Sequence, residues 1–359
     1  MTKNLVGGRF NRRTVLKSAS LGAAALAFPT VLAPRKTRAA VTITVRDPGG
    51  PFEKAFGEGL YKPFNEKYKG QCEVVGVAGK HEPTSQVKAM VDTKTYTWDA
   101  ALLSMAAHDA LPGYLEPLEL KGTAYDEIKA EYKTPTFSGN DVYCAVIGYR
   151  TDKVKKPPKS WADFWNVKDF PGRRSLRKYP FDTIEEALMA DGVPTNKVYP
   201  CDFDRAFKSL DKIKKDVAIW WDQGAQASQM LKTNEVDMLP CWNGRIQAVI
   251  DEGAPVAMEW NQNIAGVEGW TILKGTPRAD WVRKFIAFAA EPQTQAGWVA
   301  HLTYGPTNPN AFKFIKPERA KLVGTFPEYQ SKALLIDNPF WGKEKDKAID
   351  QFNAWMLKG

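Results

Sequence analysis

The sequence predicts an α/β protein of two domains. Strand-like and helix-like segments alternate along the chain, and "WDAALLS" (98–104) is the apolar run of a strand buried on both faces of a parallel sheet. In addition, about 320 residues remain after an N-terminal leader, too many for one simple core.

The leader reads "NRRTVLKSASLGAAALAF": a basic patch, a short weakly apolar run, then "KTRAA" with small residues suited to cleavage near Ala39. The run is too short and too interrupted to span a membrane. Asn11 to Lys17 resemble a twin-arginine export signal, with Val15 where an aromatic residue or leucine is usual. The alternative is an amphipathic anchor helix retained in the mature chain. Residues 1–40 carry eight Lys or Arg and no acid, leaving 42 basic and 41 acidic residues beyond them. The overall charge of +9 is therefore a property of the leader and no sign of a nucleic-acid partner.

"VTITV" (41–45) alternates with period two and runs into the loop "RDPGG"; a helix is predicted over 52–68. "CEVVGVA" (72–78) is a strand, "TSQVKAMVD" a helix and 98–104 the third strand, which makes a β-α-β-α-β start. A strand over 141–153 leads into an exposed crossing at "KPPK". Ser160 caps a short helix on which Trp161 and Trp165 pack, and Pro171-Gly172 is a turn. The second unit comprises a helix over 202–216, with Phe207, Leu210 and Ile213 on one face, and the strand "VAIWW" (217–221), whose tryptophans face opposite ways. It continues with the helix "SQMLKTNE", the strand "VDMLPCW" and the helix "RIQAVIDEG". The strand "GWTILKG" leads back to helices at 279–290 and 292–302, and 346–356 is the last helix.

No nucleophile elbow, phosphate-binding loop, dinucleotide fingerprint or His-Glu-x-x-His occurs. His81, His108 and His301 have no ligand spacing, so no metal or other cofactor is expected. Cys72, Cys144, Cys201 and Cys241 are compatible with buried free thiols or with a disulfide. An exported two-domain protein without a catalytic motif suits ligand capture in a cleft.

"WDAALLS", "SWADFWNVKDFPGR", "VDMLPCWNGR" and "YGPTNP" together resemble the spermidine/putrescine-type periplasmic substrate-binding proteins of ABC transporters, over nearly all of the chain beyond the leader. The resemblance implies a type II periplasmic-binding-protein fold: two lobes, each a sheet flanked by helices, joined by crossing strands and closing on a ligand. The lobes would be 41–146 plus 270–310, and 147–269 plus 311–359. It implies no enzyme activity, a monomer in the periplasm, and a permease in the inner membrane as partner.

Carried over position by position, the resemblance places Trp242, Ser104, Tyr304, Tyr179, Asp182 and Glu268 at ligand-binding positions. Four departures thin an aromatic cradle for a long polycation. Ala106 and Ala107 replace an aromatic pair, and "RDPGG" lacks aromatics although Asp47 offers a charge. Tyr179 stands for an acid, and Val267 for a tryptophan, with Trp270 close by. Arg245, after "WNG", would repel a polycation but welcome a carboxylate, which a guanidinium binds bidentately and helix N-terminal amides favour. With Glu268 for an ammonium, Trp242, Tyr304 and Trp270 for methylenes, and Ser104 and Asp47 for hydrogen bonds, the set points to an omega-amino acid such as gamma-aminobutyrate. One rival is putrescine or spermidine held by Asp47, Asp182 and Glu268. Another is an exported hydrolase using Asp182, Glu185 or Glu268 as acid and base. Five of the site residues also have a structural alternative: Asp182 with Glu185 as a capping box, Trp242 and Trp270 as core, Arg245 and Glu268 as solvated charges.

Overall fold

The computed structural model describes residues 40–79 and 83–358; the leader and His81 lie outside them. The first unit runs β1 (Val41–Asp47), α1 (Pro51–Phe56), α2 (Lys62–Lys67), β2 (Cys72–Ala78), α3 (Thr84–Thr93), β3 (Ala100–Ser104), α4 (Met105–Asp109) and a short β4 (Lys133–Thr134). The long β5 (Phe137–Arg150) is followed by α5 (Trp161–Trp165), β6 (Arg174–Arg177), α6 (Pro180–Ala190), α7 (Phe203–Ile213), β7 (Val217–Trp221), α8 (Gly224–Lys232), β8 (Met238–Trp242) and α9 (Asn243–Asp251). A second long strand, β9 (Val256–Ile272), precedes α10 (Ala279–Ala289), α11 (Pro292–Val299), β10 (Gly305–Pro306), α12 (Pro317–Ala320), α13 (Pro327–Gln330), β11 (Leu334–Leu335) and α14 (Asn338–Met356).

The main strand order is β2-β1-β3-β9-β5-β8-β6-β7. Pairs at the two ends are parallel, as β-α-β units require, whereas β9 and β5 run antiparallel to each other and to their outer neighbours β3 and β8. The carboxyl half of β9 pairs with β3, and the second half of β5 with β8. Between these stretches the β5–β9 register breaks: Ala145 faces Ile264, but Ile147 faces Glu259, and Gln262 takes a left-handed φ of 57°. Two uninterrupted chains thus carry the sheet from one parallel group to the other.

Four elements depart from the sequence reading. The helix predicted over 52–68 is broken by a wider turn, Gly57–Tyr61. Glycine weakens the helix there, and Gly59 lets α11 approach so closely that a Cβ on it would lie 2.3 Å from the Trp298 amide nitrogen. The strand β6 escaped notice, and α6, read only as a capping box at Asp182 and Glu185, starts earlier, at Pro180, because "RRSLRKYPF" carries four cations and a proline. Their burial is satisfied locally: Arg174 donates to the Phe170 carbonyl, and its guanidinium lies 5.5 Å from the Phe164 ring centre. The last helix starts at Asn338, eight residues earlier than predicted, with the Asp337 carboxylate accepting from the Phe340 amide at 2.9 Å. Elsewhere the local chemistry is as read. Ser160 caps α5 through the Asp163 amide, Trp161 and Trp165 pack with their indole N–H groups on the Gln262 and Ser209 carbonyls, and Trp221 is buried while Trp220 turns toward Trp355.

All four cysteines are unpaired and buried. Burial pushes the thiols of Cys72 to about 11 and Cys241 to about 12, and those of Cys144 and Cys201 up as well. Since the thiolate is the reactive species, the folded protein is expected to resist a thiol-labelling reagent at neutral pH. Mass spectrometry should count four adducts only after denaturation.

Candidate functional site

The "WNG" segment is the junction of β8 and α9, and its residues build one wall of a cavity. The Asn243 side chain accepts the Cys144 amide of β5 at 3.0 Å and donates to the Thr303 carbonyl at 2.6 Å, which ties three chain segments together. Gly244 leaves room for Tyr304, whose ring a Cβ would meet at 2.6 Å. Trp242 and Tyr304 are thereby held on either side of the start of α9, from which Arg245 extends.

That cavity, with about 240 Å³ of empty space, is lined by Pro48, Phe52, Tyr143, Trp242, Arg245, Glu268 and Tyr304. Four residues singled out in the sequence therefore converge, brought from β8, α9, β9 and the loop before β10. Arg245 is 9% exposed, its Nε is buried without a hydrogen-bond partner, and no ion pair to it occurs among the described residues. Its guanidinium lies 5.8 Å from the Trp242 ring centre. A buried cation without a counter-charge is costly unless something supplies one. Glu268, 4% exposed, stands opposite Ser104 on one side and Asp141 on the other.

An adjoining cavity of about 370 Å³ of empty space is lined by Ser104, Ala106, Tyr143, Arg177, Tyr179, Phe181, Asp182, Val267, Ile336 and Asn338. A wider opening shares Arg177, Tyr179, Trp242 and Arg245 with these two and adds Lys178, Asp222 and Lys345. Ser104 and Tyr179 thus reach the cleft; the Ser104 hydroxyl also caps α4 through the Ala107 amide at 3.0 Å. A separate pocket with about 710 Å³ of empty space around Tyr132, Phe312 and Phe326 offers Lys129 as its only charged lining residue and lacks the paired opposite charges.

Three assigned roles need correction. Asp182 lines the cleft, but its carboxylate accepts Arg177 Nη1 at 2.9 Å, so its charge is already matched. Asp47 is buried and engaged, accepting the Tyr61 hydroxyl at 2.6 Å and the Gly49 amide at 2.8 Å; it shapes the first loop. Trp270 is core: it packs 5.7 Å from Phe56 and 5.1 Å from Phe285, with its N–H on Asn140 at 3.2 Å. The aromatics lost at Ala106, Ala107 and Val267 are replaced by Phe52 and Tyr143, which the sequence reading missed, as it missed Asp141 and Arg177. The alternation of "NDVYCAV" along a strand was the available signal: it sets Asp141 and Tyr143 on one face.

Behind Asp182, α6 buries two further acids. Glu185 accepts the Tyr199 hydroxyl at 2.6 Å and the Trp341 indole at 2.7 Å on the same oxygen. Burial, and then the Asp182 charge, raise its carboxyl to about 7. The folded state holds this proton over a range in which the unfolded chain has lost it. The stabilising contribution is thus complete below the unfolded value and is lost as pH rises toward about 7, an effect of roughly 3 kcal/mol. In Glu185→Gln the urea-unfolding free energy is expected to vary less between pH 5 and 7 than in the wild type.

The family described as "Bacterial extracellular solute-binding protein" matches residues 59–323. The chain belongs to that family. This solute-binding protein is 35% identical over 328 residues to the gamma-aminobutyric acid-binding protein of Pseudomonas aeruginosa, covering 88% of this chain and 91% of that one. Its structure matches the crystal structure of an ABC transporter substrate-binding protein from Bradyrhizobium japonicum, with a TM-score of 0.82 and 34% identity over 88% of this chain and 99% of the other. It also matches a GABA receptor, with a TM-score of 0.81 and 32% identity over 89% and 98%. The solute-binding protein therefore has the type II periplasmic-binding-protein fold and the substrate-binding function of an ABC importer system, not that of an enzyme. Members are exported or periplasmic, bind small ligands and work with a membrane permease.

Proposed function

We propose that the solute is a small omega-amino acid, with gamma-aminobutyrate the favoured candidate. Arg245 binds its carboxylate, Glu268 its ammonium, and Trp242, Tyr304, Tyr143 and Phe52 wall the methylenes. The observation that carries this reading is the Arg245 side chain, 9% exposed and without an ion-pair partner among the described residues, in the same cavity as a buried carboxylate. One fixed charge of each sign suits a zwitterion whose charges are separated by an apolar chain. A diamine would set an ammonium against Arg245. The reading draws support from the relatives named for gamma-aminobutyrate.

The capture is placed in the periplasm, after removal of a twin-arginine leader near Ala39, by a monomer that delivers to a permease in the inner membrane. The lobes are 41–146 plus 270–310, and 147–269 plus 311–359, and they close on the solute. Two charge-assisted contacts at about 1.5–3 kcal/mol each, with stacking on the chain, are compatible with micromolar affinity, about −8 kcal/mol. The test is thermal unfolding of the mature protein against gamma-aminobutyrate, 5-aminovalerate, beta-alanine, putrescine and spermidine. Zwitterions should raise the Tm, by an increment equivalent to about 2.7 kcal/mol at a hundredfold excess over Kd. Stabilisation by the diamine and not by the zwitterions would overturn the assignment.

A further inference from the structure

Helix α8 begins on Gly224, which borders the wider opening together with Trp242 and Arg245. Nothing in the backbone calls for glycine there. Its φ lies outside the left-handed region, and alanine is the better helix former. The space around it does call for glycine. A Cβ on Gly224 would stand 2.6 Å from Arg245 Nε, 2.7 Å from Arg245 Cδ and 2.6 Å from Trp242 Cζ3. Unbonded carbon atoms settle at about 3.5–4.0 Å, so a side chain here and the two neighbours in their present places are incompatible. The guanidinium is approached from the first unit as well: the Cβ position of Gly50, in the loop before α1, lies 3.4 Å from Arg245 Nη1. Arg245 is thus seated between a glycine of α8 and a glycine of the first loop.

Gly224 meets both side chains from outside the inner cavity: Trp242 and Arg245 line that cavity, and Gly224 does not. A side chain on Gly224 would therefore drive the indole and the guanidinium inward, into the space they share with Glu268. That space is only about 240 Å³, so even a small advance takes room from the solute's methylene chain. We infer that Gly224 sets the length of solute the site accepts. By carrying no side chain it lets Arg245 lie back against the start of α8, which fixes the span from the guanidinium to Glu268 that the solute must bridge. Any larger residue at this position shortens the span and favours a shorter amino acid. Gly224 is a positioning residue that acts through Arg245 and Trp242.

The inference rests on the zwitterion reading, and calorimetry separates the two. Beta-alanine, gamma-aminobutyrate and 5-aminovalerate, in order of increasing length, are titrated into the mature wild-type protein and into Gly224→Ala. In the variant the ratio of the Kd for gamma-aminobutyrate to that for beta-alanine should rise by a factor of about ten or more, the effect of one misfitting methylene in a closed pocket, and 5-aminovalerate should lose most. A general loosening of the cleft would weaken all three alike. An unchanged ratio, with or without a loss of affinity, thus overturns the inference and leaves the solute assignment standing; a wild type that binds none of the three overturns both. Should Gly224→Ala not fold, a crystal structure of the wild type with bound gamma-aminobutyrate decides. Arg245 Nε should remain in van der Waals contact with Gly224, and a guanidinium turned away from α8 overturns the inference.

Discussion

Arg245→Met is expected to abolish binding of gamma-aminobutyrate and, in the same protein, to raise the stability of the unliganded form. Truncating one partner of a buried charged contact costs about 2–5 kcal/mol, so the Kd measured by calorimetry should rise by a factor of about 30 to 4,000. The stability change has the opposite sign because the guanidinium has no ion-pair partner among the described residues and its Nε is buried without an acceptor. Methionine fills similar volume without a desolvated charge, and apolar replacement of even a paired buried charge is neutral or stabilises by about 1–4 kcal/mol. The combination of lost affinity and gained stability is what separates a ligand-binding residue from a structural one. A residue that only holds the cleft together would lose both. Wild-type affinity in the variant would refute the role given to Arg245.

Gly59→Ala is expected to be the most damaging single methyl in the first unit. Its Cβ would stand 2.3 Å from the Trp298 nitrogen and 2.5 Å from its Cα, and these are backbone atoms that cannot rotate away. Overpacking costs about 1–3 kcal/mol when side chains can yield; here α11 itself must shift, so a loss of about 3 kcal/mol in urea unfolding is expected. The control lies two residues away. Gly57 has helical angles (φ −54°, ψ −53°) and nothing within 4 Å of its missing Cβ, so Gly57→Ala should gain about 0.4–1 kcal/mol. Equal effects at the two positions would show that α11 does not constrain the turn.

What could be read from the chain beforehand was local. Trp242, Asn243, Gly244 and Arg245 are consecutive at a strand-to-helix junction, so their convergence on one wall follows from short-range geometry. The strand and helix alternation was legible for the same reason, since hydrophobic period is a local property. Asp141 was not, because its meaning comes from the register that sets it beside Glu268, 127 positions along the chain. The ion pair of Asp182 with Arg177 spans only five residues, yet it depends on the left-handed backbone at Asp182 (φ 68°) that folds the acid back toward β6. Trp270 was misplaced because it lies two residues beyond Glu268, on the same face of β9, but under the aromatic cluster of α1 and α10 rather than at the cavity.

The register break between β5 and β9 bears on how the site discriminates by length. Trp242, the last residue of β8, pairs with Ala145 at the edge of the break, Arg245 follows on α9, and Glu268 lies four residues along β9 from Ile264, the partner of Ala145. A solute anchored at both is a strut between β9 and α9, and the number of its methylenes must match the span between the two side chains. Too short a strut leaves one anchor slack, and too long a one pushes the two elements apart. Affinity across a homologous series should therefore peak at a single chain length instead of climbing with each added carbon.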